Sequence, residues 1–96
     1  MGDDLSVLFD RIRALLNHEG NGSESRTDEI EDTLTTGYAR ALALEGDRRR
    51  TEERISELAG HEGHVAELRT LKAGLRRTEE ELTQLRDLLR VLAATL

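Results

Sequence analysis

A leucine repeat covers the last third of the chain and constrains its fold more than any other feature. Leucines recur at alternating steps of three and four residues, with only Thr78 interrupting them. Eight of the nine seam positions are leucine: Leu68, Leu71, Leu75, Leu82, Leu85, Leu89, Leu92 and Leu96. Heptads sustained over this length are specific for helices that pack side by side as a coiled coil. We therefore expect a long helix over 64–95.

A second and weaker heptad repeat precedes the first and predicts a helix over 28–59. Its seam positions are Ile30, Leu34, Gly37, Ala41, Leu44, Arg48, Thr51, Ile55 and Leu58. The middle of this seam is polar, because no apolar side chain lies between residues 45 and 54. The chain contains no proline, so neither helix is interrupted by one.

The segment 60–63 between the two repeats predicts a turn, since Gly60 and Gly63 fall within four residues. The weaker seam of residues 30–58 continued forward reaches Val65, whereas the leucine seam of residues 68–96 continued backward reaches His64. One continuous coiled coil would have to absorb this mismatch as a distortion. We therefore expect an antiparallel helical hairpin in which the numbers of opposed residues sum to about 123–124.

The first part of the chain predicts a short amphipathic helix over 4–17. Its apolar residues recur at helical spacing: Leu5, Leu8, Phe9, Ile12, Leu15 and Leu16. A polar loop over 18–27 lets this helix turn back onto the open end of the hairpin. The expected fold is a single all-α domain over 1–96, with residues 45–80 projecting as a bare two-helix arm.

Composition excludes several classes of function. The absence of cysteine excludes disulfides and cysteine-ligated zinc, and two aromatic residues with a net charge of −6 make nucleic-acid binding unfavourable. No apolar run is long enough to cross a membrane, and the first residues lack a signal-peptide pattern. We expect a soluble, cytoplasmic protein, and thirteen arginines to one lysine are typical of a GC-rich bacterial genome.

No catalytic, metal or cofactor site is expected. His61 and His64 lie three residues apart, whereas a helical zinc pair requires histidines four apart and further ligands. We interpret them as exposed polar residues near helix ends. The serines have no histidine predicted beside them, and no glycine-rich phosphate loop is present. We therefore expect a protein that is not an enzyme.

Six cations map to the middle of the predicted hairpin and are named here the waist cations: Arg48, Arg49, Arg50, Lys72, Arg76 and Arg77. Brought together from two helices, they could bind a small anion such as a nucleotide or phosphate. The alternative is ordinary surface ion pairing, because Glu45, Asp47 and Glu79 lie within a turn or two. Ordinary pairing is the favoured interpretation.

The third helix also carries more apolar surface than a two-helix seam needs. The surplus predicts a dimer or partner surface formed by Leu85, Leu88, Val91, Leu92 and Leu96. The leading hypothesis is a non-enzymatic coiled-coil interaction module, a small adaptor or regulator that binds a helical partner and forms a homodimer. The alternatives are a regulator gated by an anion at the waist cations and a structural homo-oligomer.

Overall fold

In the computed structural model, the described residues 3–17 and 24–96 form three helices. These are α1 (Asp3–Asn17), α2 (Glu24–Ala59) and α3 (Val65–Ala93). The molecule is elongated, with extents of 60 × 20 × 16 Å. The all-helical class predicted from the heptads is confirmed. The part of the predicted loop that covers 18–23 lies outside the described residues.

Helix α2 begins at Glu24, four residues before the predicted start. The Arg26 guanidinium donates a hydrogen bond to the Leu15 carbonyl oxygen, 3.0 Å away, and so ties the first turn of α2 to the last turn of α1. Residues 24–27 were predicted as loop because they carry no apolar periodicity. The prediction is wrong for these four residues. They are helical because a contact with α1 supports the first turn of α2, and apolar periodicity does not report such a contact.

The segment 60–64 separates α2 from α3. Gly63 has a φ of +92°, in the left-handed region that favours glycine. The His61 amide donates to the Leu58 carbonyl at 3.0 Å, and the Leu68 amide donates to the His64 carbonyl at 2.9 Å. His64 is thus the N-cap of α3, one residue after the predicted turn. Helix α3 ends at Ala93, two residues before the predicted end.

Many residue pairs join α2 to α3, and three of them mark how the two helices are aligned. They are Gly37 with Leu89, Glu45 with Arg86, and Arg54 with Glu67. The last pair is a hydrogen bond of 3.3 Å between guanidinium and carboxylate. The number of the α3 partner falls as the number of the α2 residue rises.

The hydrophobic core takes side chains from all three helices, but only from one end of the molecule. Its buried members are Leu5, Leu8, Phe9, Ile12, Leu15, Ile30, Leu34, Ala41, Leu44, Leu82, Leu85, Leu89 and Leu92. We call this end, residues 3–17, 24–44 and 82–96, the open end. The remaining residues, 45–81, are called the arm.

Candidate functional site

The arm is the part of the molecule whose apolar seam is incompletely covered. Within residues 45–81, Leu58 is the only buried side chain, at 4% exposure. The other seam residues of the arm are partly exposed, and they include Ile55, Leu68, Leu71 and Leu75. Each of these side chains therefore keeps apolar surface that another helix could cover.

The sequence of α2 explains why the arm does not close on itself. Arg48 and Thr51 stand at the centre of its seam, so α3 meets polar side chains there. On α3, Gly74 is also partly exposed, and a Cβ added to it would meet no atom within 4 Å. The middle of the arm thus lacks the interlocking side chains that a closed two-helix seam needs.

The structure pairs only two of the waist cations with carboxylates. Arg48 lies 3.6 Å from Glu52, and Arg50 forms an ion pair with Asp47. The other four have no ion pair with any described residue and are exposed: Arg49, Lys72, Arg76 and Arg77. Ordinary surface pairing, the interpretation favoured from the sequence, therefore accounts for two cations of the six.

The waist cations do not share one face of the arm. Consecutive helical residues point about 100° apart, so Arg48, Arg49 and Arg50 fan around α2, as do Arg76 and Arg77 around α3. Lys72 lines an open groove of about 270 Å³ together with Val65, Leu68 and Arg69. The six cations are spread around the arm and do not converge into a pocket for a single anion.

The structure corrects the predicted partner surface on α3. Leu85 and Leu92 are both 0% exposed and belong to the core cluster that also contains residues of α1 and α2. Leu88 is partly buried, whereas Val91 and Leu96 are 49% and 60% exposed. Only these last three remain accessible to a partner.

The tip of the arm, around residues 54–67, carries polar and charged side chains that lie close to one another. His64 Nδ1 lies 3.6 Å from a Glu67 carboxylate oxygen, and the ring centroids of His61 and His64 are 6.4 Å apart. Hydrogen bonding to Glu57, with the charge of Glu67 beside it, raises the pKa of Arg54. Across residues 3–17 and 24–96, no three histidine or carboxylate side chains group to hold a metal ion.

A groove between α1 and α2 at the open end was not predicted from the sequence. It encloses about 500 Å³ and is lined by Asp4, Val7, Leu8, Arg11, Thr36, Ala39, Arg40 and Ala43. Two alanines one turn apart on α2 were the available signal. Two small side chains on one face of α2 indicate a groove only if that face is known to lie beside α1 without being covered by it, and the sequence does not show this.

No protein-family model, curated protein or solved structure matches this chain significantly. None of the described helices combines the length and the apolar character needed to cross a membrane. The function is therefore inferred from the chain's own residues and their geometry.

Proposed function

We propose that this chain is a non-enzymatic helical interaction module whose arm pairs with another helical chain. In this proposal, α2 and α3 form an antiparallel coiled-coil hairpin and α1 packs at its open end. The falling order of contacts from Gly37–Leu89 to Arg54–Glu67 supports the hairpin. The observation that carries the function is the partly exposed seam of the arm, where Leu58 is the only buried side chain.

Covering the arm would stabilise the molecule. Each additional Å² of apolar surface removed from water contributes about 25 cal/mol. A chain of this size buries too little surface on its own to be more than marginally stable. The remaining exposed surface of Leu68, Leu71 and Leu75 is therefore a favourable target for a second pair of helices.

The simplest occupant of the arm is a second copy of the chain. Both copies present the same seam, and two-fold dimers are the commonest soluble oligomers. The arm holds ten carboxylates and eight cations, so two arms meet with little net repulsion. Their four helices would complete a bundle around the seam leucines, and exposed cations such as Lys72 and Arg76 would face carboxylates of the other copy.

Sedimentation equilibrium tests the dimer directly. At high micromolar concentration we expect twice the chain mass of 10.8 kDa, falling to the chain mass on dilution. Leu71→Gln and Leu75→Gln should weaken the dimer, because they place an amide in the seam. Ala73→Gln is the matched control on an exposed position of the same helix and should leave it unchanged. A strict monomer at high micromolar concentration contradicts the proposal.

A second function is favoured by the four waist cations without ion pairs. A nucleotide or polyphosphate bound to Arg49, Lys72, Arg76 or Arg77 would make the chain a regulator whose partner binding depends on an anion. ATP or tripolyphosphate at low salt should then raise the melting temperature of the wild type. The gain should shrink in Arg76→Gln. Equal melting temperatures with and without these anions would exclude the anion-dependent regulator. The remaining functions would then be the interaction module and a purely structural homo-oligomer.

A further inference from the structure

The groove between α1 and α2 lies at the open end, apart from the arm. Its apolar floor is formed by Val7, Leu8, Ala39 and Ala43. Val7 is 62% exposed although it belongs to the amphipathic first helix. Ala39 and Ala43 stand one turn apart and project only methyl groups, so space remains where larger side chains would have filled it. An occupant of this groove would bury an apolar body.

Two arginines line the same groove and lack carboxylate partners. Neither Arg11 nor Arg40 forms an ion pair with any residue of 3–17 or 24–96. The Nε of Arg40 is buried and has no hydrogen-bond partner among those residues. Asp4, which also lines the groove, pairs with neither arginine, so the lining carries a net positive charge. Guanidinium groups so placed are suited to a carboxylate.

The length of the groove limits what can fill it. On α2 the lining of the groove runs from Thr36 to Ala43, a stretch of about 10–11 Å along the helix axis. Asp32 lies one turn before this stretch and Asp47 one turn after it, and both are exposed. A long amphipathic helix laid along the groove would meet these acids at both ends. An extended medium-chain acyl group matches the length of the stretch.

We propose that this groove binds an amphipathic carboxylate of the medium-chain fatty acid class. The alkyl chain would lie on Val7, Ala39 and Ala43, and the carboxylate would be held by Arg11 and Arg40. The volume of about 500 Å³ falls within the range of small-molecule sites. This site goes beyond the interaction module and does not depend on it.

Titration of the labelled full chain with decanoate, followed by amide chemical shifts, tests the proposal. Saturable shifts are expected at Val7, Ala39 and Ala43 below the concentration at which decanoate forms micelles. Arg11→Gln and Arg40→Gln should each weaken binding about tenfold or more, since each removes a charge-assisted hydrogen bond. Ala43→Leu, which fills the groove, should abolish binding.

The control for the arginines is Arg90→Gln, the same substitution on an exposed position of α3 that does not line the groove. It should leave decanoate affinity unchanged. Arg11 is exposed, so Arg11→Gln should fold normally. Its decanoate affinity therefore tests the site even if Ala43→Leu disturbs folding.

Three results would overturn the fatty-acid site. One is the absence of saturable shifts, and another is decanol binding as tightly as decanoate, which removes any role for the arginines. In the third, decanoate fails to bind and Ala43→Leu changes the sedimented mass, which would make the groove a contact between copies. If the chain does not dimerise, the proposed fatty-acid site is unaffected, because both helices that line the groove belong to the same chain.

Discussion

Replacing Gly37 with alanine tests how closely α2 and α3 pack. A Cβ added at Gly37 would lie 3.2 Å from both Cγ and Cδ1 of Leu89, and closer still to Cδ2. Leu89 is 0% exposed and is surrounded by the core. Its side chain therefore cannot swing away without displacing other core residues, and the added methyl group overpacks the helix contact.

Two opposing effects set the change in the free energy of unfolding caused by Gly37→Ala. Alanine in a helix interior is more favourable than glycine by about 0.8–1 kcal/mol. Forcing an extra carbon into a filled core costs about 1–3 kcal/mol, so Gly37→Ala should range from nearly neutral to about 2 kcal/mol destabilising. Gly74→Ala gains the same propensity without the clash, because its Cβ meets no atom within 4 Å. The two variants should therefore differ by about 1–3 kcal/mol.

Thermal unfolding followed by circular dichroism measures this difference at one fixed chain concentration. In a domain of this size, about 1 kcal/mol shifts the melting temperature by about 4–8 °C. Gly74→Ala should melt above the wild type, and Gly37→Ala should melt below Gly74→Ala by at least about 4 °C. Equal stabilisation by both substitutions would refute the reasoning, since Leu89 would not then pack against Gly37.

Three further substitutions and one control have expected outcomes. Thr33→Val should stabilise by about 1 kcal/mol in urea unfolding, because Thr33 is 0% exposed and its hydroxyl has no hydrogen-bond partner among the described residues. Thr35→Val, which loses an exposed hydrogen bond, should show no such gain. Arg48→Leu should raise stability and shift the oligomeric state without any dependence on anions; a loss of stability would mean that its contact with a carboxylate outweighs the apolar gain. Glu45→Gln should cost under about 1 kcal/mol, because its ion pair with Arg86 is partly exposed, and a larger loss would contradict this.

The helices could be predicted from the sequence because heptad spacing reports directly which face of a helix is buried. Leu82 and Leu89, at successive seam positions, are both fully or almost fully buried. The first turn of α2 could not be predicted, since it is supported by the bond from Arg26 to Leu15 in another helix. Periodicity contains no information about such contacts.

The candidate sites were harder to predict than the helices. The spacing placed Leu85 and Leu92 both on the seam and in the predicted partner surface, and the structure buries them in a core shared with residues of α1 and α2. The predicted register places the waist cations at the same height along the arm. It does not show that successive cations point in different directions around each helix and so remain apart. The groove beside Ala39 depends on where α1 lies across α2 and has no short sequence signature.

Amide hydrogen exchange at low and high chain concentration tests most directly whether the arm is covered by a second chain. Backbone amides exchange readily in helices whose apolar seam is exposed, because these helices open locally, whereas amides in helices with a buried seam are protected. We predict that protection over 47–57 and 66–80 rises with concentration, while the core amides around Leu85 and Leu89 stay unchanged. Protection of the arm that is the same at both concentrations, up to the high micromolar range, would contradict the account.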